Sequence, residues 1–566
     1  MSSFDHTKYR PFTVIKKPNR RWPSEQITRA PIWCAVDLRD GNQALIEPMN
    51  VIQKQKMWAL LIKLGFKEIE IGFPSASQPD FDFCRWLIEE EQIPDDVKIQ
   101  ALTQARPELI ERTYEALKGA KQAIVHVYNS TSPVQRDKVF KLDRQGIVAI
   151  AIRGAQKVLD ESKKYPNTAW YFEYSPESFS STEIDFSIEI CNAVIDVWQP
   201  TPAHKIILNL PATVECATPN VFADQIEFFC DAIKQRDCVI VSLHTHNDRG
   251  CGVAAAELGL MAGADRIEGT LMGNGERTGN MDLVTLAMNL YSQGINPKLD
   301  LSNADEIVRT VHECTQIATH PRHPWFGELV FTAFSGSHQD AIRKCLAQQK
   351  SDEPWDVAYL PIDPKDLGRD YQSVIRVNSQ SGKGGVAYIL EQDYGLQLPR
   401  WLQIEASRKV QAHAEQASIE VAPEKIWEIV ESAFMRTDDT HQLGSYQLAH
   451  NGTHEHIRAI LINHDDDKTQ QIINGQGDGA LSAFCDAIEN HFGFRLEIAH
   501  YHQHALGSGT DASAMGYVQV KIDDRRYCGI AKSRDVMSAN LNAILVCVKQ
   551  ALNDTSIKHS NEALTT

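Results

Sequence analysis

KIILNLPA (205–212), PNVFADQIEFFCDAIKQR (219–236) and CVIVSLHTH (238–246) follow one another with only short polar joints between them. The first and third are apolar runs of strand length, rich in β-branched residues. The middle one repeats its apolar residues at helical spacing. A strand, a helix and a second strand in this order form a crossover unit, so the two strands lie parallel. Working outward, the same alternation recurs. Strand patterns precede the unit at IWCAVDLRD (32–40), EIEIGF (68–73), VKIQALTQ (97–104), AIVHVYNS (123–130) and AWYFEYS (169–175), and one follows it at ADRIEGTL (264–271). Helical patterns such as VIQKQKMWALLIKLG (51–65) and QGIVAIAIRGAQKVLDESKK (145–164) separate them. Eight βα units over roughly 250 residues predict a (β/α)8 barrel, since an open doubly wound sheet usually has fewer strands.

The chain is 566 residues long, beyond the roughly 250–300 at which single cores stop growing, so two or three domains are expected. Residues 1–30 read as a polar arm, 31–305 as the barrel, 306–430 as a linker with helical subdomains, including a Gly-rich NSQSGKGG (378–385), and 431–566 as a separate α+β module. In that module, strand patterns at 445–451, 454–464 and 469–475 lead to a helix at 479–492. Strands at 495–506, 514–523 and 525–533 then lead to a helix at 538–552. This is an approximate duplication of a βββα unit, suited to sensing a ligand or to dimerisation.

Lys and Arg number 57 against 74 Asp and Glu, a net charge of −17, which argues against a nucleic-acid partner. No stretch reaches the roughly 18 apolar residues of a membrane helix. The N-terminus carries no apolar signal core, and the 12 cysteines are dispersed without framework spacing. A cytoplasmic location is the expectation.

A barrel places its chemistry at the C-terminal ends of its strands. There the sequence puts Arg39, Asp40, Glu70, Gln104, His126, residues 173–177, Asn209, Thr213, His244 and His246, then a loop GNGERTGN (273–280). His244 and His246, two apart on a strand, project to one face. Asp40 closes the first strand, which neighbours the eighth in a closed barrel, and Asn280 offers an amide oxygen. One carboxylate, two imidazoles and an amide make a mixed O/N set for a divalent ion, Mg²⁺ first and Mn²⁺ or Zn²⁺ as alternatives, with coordination positions open to substrate. Arg39 beside it suits a developing oxyanion. Glu276 and Arg277 are read as a mobile loop that closes over substrate or pairs with itself. Ser175 and Glu177 are read as contacts to a substrate carboxylate or carbonyl.

Taken together, LRDGNQAL (38–45), VHVYNSTSP (125–133), FEYSPESF (172–179), NLPATVE (209–215), HTHNDRG (244–250) and GNGERTGN (273–280) resemble the α-isopropylmalate synthases over nearly the whole chain, in the long form with a C-terminal leucine-regulatory domain. The resemblance implies condensation of acetyl-CoA with 2-oxoisovalerate and thioester hydrolysis to 2-isopropylmalate and CoA, opening leucine biosynthesis. It implies Asp40, His244, His246 and Asn280 as metal ligands, with K⁺ a candidate activator. Arg39 polarises the ketone, while His126, Ser175, Glu177 and Thr213 line the oxo-acid pocket, with Glu276 beside it. His338 is brought by the partner subunit of an intertwined homodimer. For the base, Glu177, Glu276 and a water activated through His338 stay open, with His338 acting alongside Glu177 preferred. GQGDGALSAF (475–484) and GSGTDASA (507–514) resemble the family's turns around the effector leucine, where Gly475, Gly477 and Gly479 allow close backbone approach to a carboxylate. Related lyases carry a reactive cysteine in the eighth-strand loop, and residues 273–280 have none. A catalytically dead amino-acid sensor is the competing class.

Overall fold

The computed structural model describes residues 6–554 apart from 11, 14, 372–382, 418–420, 436–440, 464–468 and 507–512. Most of NSQSGKGG and of GSGTDASA therefore lies outside the described residues. The chain divides into two compact units, one of 1–330 with 364–369 and one of 331–363 with 370–566.

The first unit is built on a closed, all-parallel barrel in chain order: β1 (Ile32–Ala35), β2 (Glu68–Gly72), β3 (Lys98–Gln104), β4 (Gln122–Ser130), β5 (Ala169–Glu177), β6 (Ile206–Ala212), β7 (Val239–Thr245) and β8 (Arg266–Gly269). β8 closes on β1 with Ile32 opposite Arg266 and Ala35 opposite Gly269. The crossover helices are α1 (Val51–Leu64), α2 (Gln78–Glu89), α3 (Pro107–Leu117), α4 (Arg144–Lys164), α5 (Ile184–Trp198), α6 (Pro219–Ala232), α7 (Gly252–Met261) and α8 (Leu283–Tyr291), followed by α9 (Ala304–Thr315). Their ends follow from local chemistry. Asn50 and Gln53 form a reciprocal capping box at the start of α1, and Gly65 stops it in the left-handed conformation at φ 97°. The arm is held rather than free. Arg20 binds Asp224 of α6 through two bonds of 2.6 and 2.7 Å, and the buried Trp22 indole donates to the same carboxylate at 2.9 Å.

One boundary departs from the sequence reading. The strand expected over 32–40 ends at Ala35, and Asp37–Gly41 turn as a π-helix. The Gly41 and Arg39 N–H groups return to the Val36 carbonyl, and the Asp37 carboxylate accepts from Leu271 N at 2.9 Å. These bonds replace strand pairing and roll Arg39 and Asp40 over the barrel mouth.

The second unit contains α10 (Gly336–Leu346), α11 (Lys383–Tyr394), α12 (Arg400–Ala417), α13 (Pro423–Phe434) and the duplicated βββα module. Antiparallel β9 (His441–His450), β10 (Glu455–Asn463) and β11 (Thr469–Gly477) precede α14 (Ala480–Phe492), and β12 (Leu496–Leu506), β13 (Ser513–Ile522) and β14 (Arg525–Ser533) precede α15 (Val536–Asn553). Ile457, Leu461, Phe484, Ile488, Val518 and Leu541 share one core between the sheets and their helices. Met515, Tyr517 and Ile530 face a second core with α11 to α13. None of the twelve cysteines is paired. Among the described residues, no helix is long and apolar enough to cross a membrane.

Candidate metal centre and substrate cavity

A cavity of about 630 Å³ opens at the C-terminal end of the barrel. Arg39, Asp40, His126, Ser175, Glu177, Thr213, His244, His246 and Glu276 all line it, joined by Gln43, Tyr128 and Asn209. The size suits a small acid together with part of a larger thioester.

Asp40, His244 and His246 are all buried and offer ligand atoms within 4.8 Å of one another. Both imidazoles aim Nε2 at Asp40 Oδ2, at 3.5 and 3.8 Å. Asn280 reaches the group through its backbone, which pairs with His246, while its side-chain N–H₂ donates to Asn274 O at 3.0 Å and leaves Oδ1 as the free end. Asp40 Oδ2, His246 Nδ1 and Asn280 Oδ1 are buried without a hydrogen-bond partner. Buried oxygen acceptors are rarely left so. A divalent cation between Asp40, the two imidazoles and Asn280 would satisfy both oxygens, so the donor set fits the ion.

The charges around this point are arranged to persist. Burial works against the Asp40 carboxylate, but Arg39 beside it, with both histidines, holds its pKa well below the usual range. Burial also pulls His244 down, and its closeness to Asp40 and Glu268 outweighs that, raising it to about 9. His246 goes the other way, to about 4, through burial and the neighbouring His244. Arg39 is fixed from two sides, by Asp40 Oδ1 at 2.7 Å and by a short bond to the fully buried Glu70.

His126 lies in a buried chain, with Nδ1 on Glu70 at 2.7 Å and Nε2 on Ser175 Oγ at 2.7 Å, and Asn209 also donates to Ser175 at 3.1 Å. Glu177 binds Ser130 Oγ, and Thr213 Oγ1 accepts from Ser178 N at 2.9 Å. Pairing of Glu276 with Arg277 is one of two alternatives read from the sequence, and Arg277 bonds elsewhere. Arg277, exposed and at φ 59°, binds Asp248 at 2.6 Å and the Thr213 carbonyl at 2.5 Å. Asp248 in turn accepts from Glu215 N at 2.9 Å, so the loops after β6, β7 and β8 are tied together at the rim.

A second trio, His126, Glu173 and Glu268, also brings ligand atoms within 4.8 Å. The Arg266 guanidinium lies 2.9 Å from Glu268 and 3.3 Å from Glu173, and already supplies the positive charge there. Arg266, Glu268, Glu68 and Gln100 were not singled out from sequence. The signal was available, because charged or amide side chains sit at alternate positions of strands otherwise reading as buried.

His338 belongs to the second unit, where it is exposed and stacked on Tyr359 with centroids 4.0 Å apart. The glycines of 475–479 divide by cause. A Cβ on Gly475 would lie 2.2 Å from Ala483 O, and one on Gly477 2.4 Å from Ser482 Oγ, so both let α14 pack on β11. Gly479 caps α14 and has open space around it. Gly475 also lines a second cavity of about 640 Å³, with His456, Arg458, Asn474 and Asp486.

A closed barrel with one carboxylate, two imidazoles and a clamped guanidinium at its C-terminal mouth defines a metal-dependent (β/α)8 enzyme. Family models agree along the chain. One described as HMGL-like matches residues 30–311, one described as alpha-isopropylmalate synthase, post-catalytic domain-like, matches 328–391, and one described as LeuA allosteric (dimerisation) domain matches 420–552. The 2-isopropylmalate synthase of Alcanivorax borkumensis is 56% identical over 96% of this chain and 97% of its own. Those of Pseudomonas fluorescens (strain Pf0-1) and Pseudomonas entomophila are 53% and 52% identical, over 98% and 97% of this chain and 98% of theirs. The chain belongs to the 2-isopropylmalate synthase family.

Proposed function

We propose that this chain joins acetyl-CoA to 2-oxoisovalerate and hydrolyses the resulting thioester, releasing 2-isopropylmalate and CoA at the start of leucine synthesis. The observation that carries the reading is the convergence of Asp40, His244 and His246 within 4.8 Å, with Arg39 bonded to Asp40 at 2.7 Å, in a cavity of about 630 Å³. When bound, a divalent ion, Mg²⁺ in our reading, supplies Lewis acidity toward the oxo acid.

The remaining work falls to the chain. Arg39, held by Glu70 and Asp40, presents its guanidinium to the ketone oxygen as negative charge develops there, and its two anchors keep it from reorganising. His126, Ser175 and Thr213 form the wall that holds the oxo acid. Ser175 has its hydroxyl orientation set by His126 and Asn209. Glu177 and Glu276 reach the same cavity, so each can take the methyl proton of acetyl-CoA directly or through water. We favour Glu177 acting with His338 supplied by the partner of a homodimer, K⁺ as an activator and leucine as the effector of the C-terminal module. A cytoplasmic location completes the reading.

The deciding assay follows CoA thiol release with 2-oxoisovalerate, pyruvate and 2-oxoglutarate in parallel, with Mg²⁺ and with EDTA. Metal-dependent release fastest with 2-oxoisovalerate is expected. Faster release with pyruvate would move the chain to a different acid, and none at all would remove the catalytic reading.

A further inference from the structure

Beneath the cation ligands the barrel is filled not by aliphatic layers but by a hydrogen-bonded charge network. Its centre is Glu268 of β8, which has no exposed surface. Oε1 accepts from Arg266 Nη1 at 2.9 Å and Gln100 Nε2 at 3.0 Å, and Oε2 accepts from His244 Nδ1 at 2.9 Å and Asn209 Nδ2 at 3.0 Å. Arg266 is itself held by Glu68 at 2.7 Å, Ser242 at 2.8 Å and the Gln100 side-chain Oε1 at 2.7 Å. Four N–H donors converge on two oxygens, so this carboxylate accepts on every side and cannot swing.

An acceptor facing His244 Nδ1 obliges that nitrogen to carry the proton. The nitrogen left to bind a cation, with loss of the proton it otherwise carries, is then Nε2, the atom that faces Asp40 Oδ2 at 3.5 Å. We propose that Glu268 is a positioning residue that fixes the tautomer and tilt of His244 for the catalytic cation, with Gln100 as the link that ties this setting to Arg39 and His126. Gln100 Nε2 donates at 3.0 Å to Glu70 as well as to Glu268, and Glu70 holds both Arg39 and His126. One amide therefore spans the metal side and the ketone side of the cavity. The inference rests on the metal-dependent reading above, but not on which oxo acid is used.

The test is Mn²⁺ binding to the full-length protein stripped of metal, read from the free-ion paramagnetic resonance signal with no substrate present. In Glu268→Gln the side-chain N–H₂ must face either Arg266 and Gln100 or His244 and Asn209. Facing His244 is the lesser conflict, and it sends the imidazole proton to Nε2. Mn²⁺ affinity is expected to fall 10- to 100-fold. A lowered melting temperature with native Mn²⁺ affinity would make Glu268 purely structural and overturn the proposal. If Glu268→Gln does not fold, Asn209→Ala removes one donor from the same oxygen. A loss of at least threefold is then expected, and native affinity overturns the proposal equally. CoA release with each oxo acid, run separately on the unaltered protein, tells a wrong substrate from a wrong positioning residue.

Discussion

Asp37 stands three residues from Asp40 and has the opposite character. It is buried, one oxygen accepts from Leu271 N and the other has no partner, and burial lifts its pKa from 3.8 to about 8. A carboxyl with a raised folded-state pKa holds more protons folded than unfolded, so its contribution is complete below 3.8 and is lost as pH rises toward about 8. Asp37→Asn keeps the acceptor for Leu271 and removes the titration. Its melting temperature is expected to match the parent near pH 4 and to exceed it at pH 8. Equal curves across that range would show that Asp37 ionises freely. Arg39 is tested by Arg39→Lys, which keeps the charge but cannot bond Glu70 and Asp40 together while facing the ketone. A loss of about 10²- to 10³-fold in kcat is expected, with folding unchanged by circular dichroism. At this scale the sequence was legible where spacing forces geometry. His244 and His246, two apart on a strand, could only share a face. It was not legible where partners are distant. Nothing in the neighbourhood of Arg277 announces Asp248, and nothing near Glu268 announces Gln100, because barrel closure alone brings those strands together.

Elements show the same division. Apolar runs and helical periodicity placed all eight barrel strands and the six strands of the duplicated module, since each is bounded by polar turns. The first strand was read too long because VDLRD alternates like a strand. What ends it is a bond from the Leu271 amide to Asp37, across 234 positions of sequence. The loop after β8 carries the next expectation. Gly279 has φ 102°, and a Cβ there would lie 1.9 Å from the Gly273 carbonyl. Gly279→Ala combines a backbone cost of roughly 1–3 kcal/mol with a displaced loop, and the displacement falls on Asn280. Weaker Mn²⁺ binding is expected along with a lower urea midpoint. Native metal affinity in this variant would mean that Asn280 is not a ligand.

The molecule as a whole has separate cores, in the barrel unit, within the duplicated module, and between that module and α11–α13. Ligands specific to each should therefore stabilise different parts of the chain. A ligand at about 100 times its Kd adds about 2.7 kcal/mol to the state that binds it. Mn²⁺ in place of EDTA is expected to slow amide exchange in β1, β7 and β8, and leucine to slow it in β10, β11 and α14. The leucine arm bears on the glycine-rich turn. Gly475 and Gly477 cannot serve as probes, because a Cβ at either strikes α14 whether or not an effector binds. Gly479 can, since its φ of −160° is open to any residue and a Cβ there meets nothing within 4 Å. Gly479→Val should fold with the parent's exchange pattern and lose the leucine-dependent protection, because the added methyls occupy the space at the N-terminus of α14 where a carboxylate would approach. Full leucine protection in Gly479→Val would remove that turn from the effector site. No leucine protection in the parent protein would leave the duplicated module with dimerisation as its role.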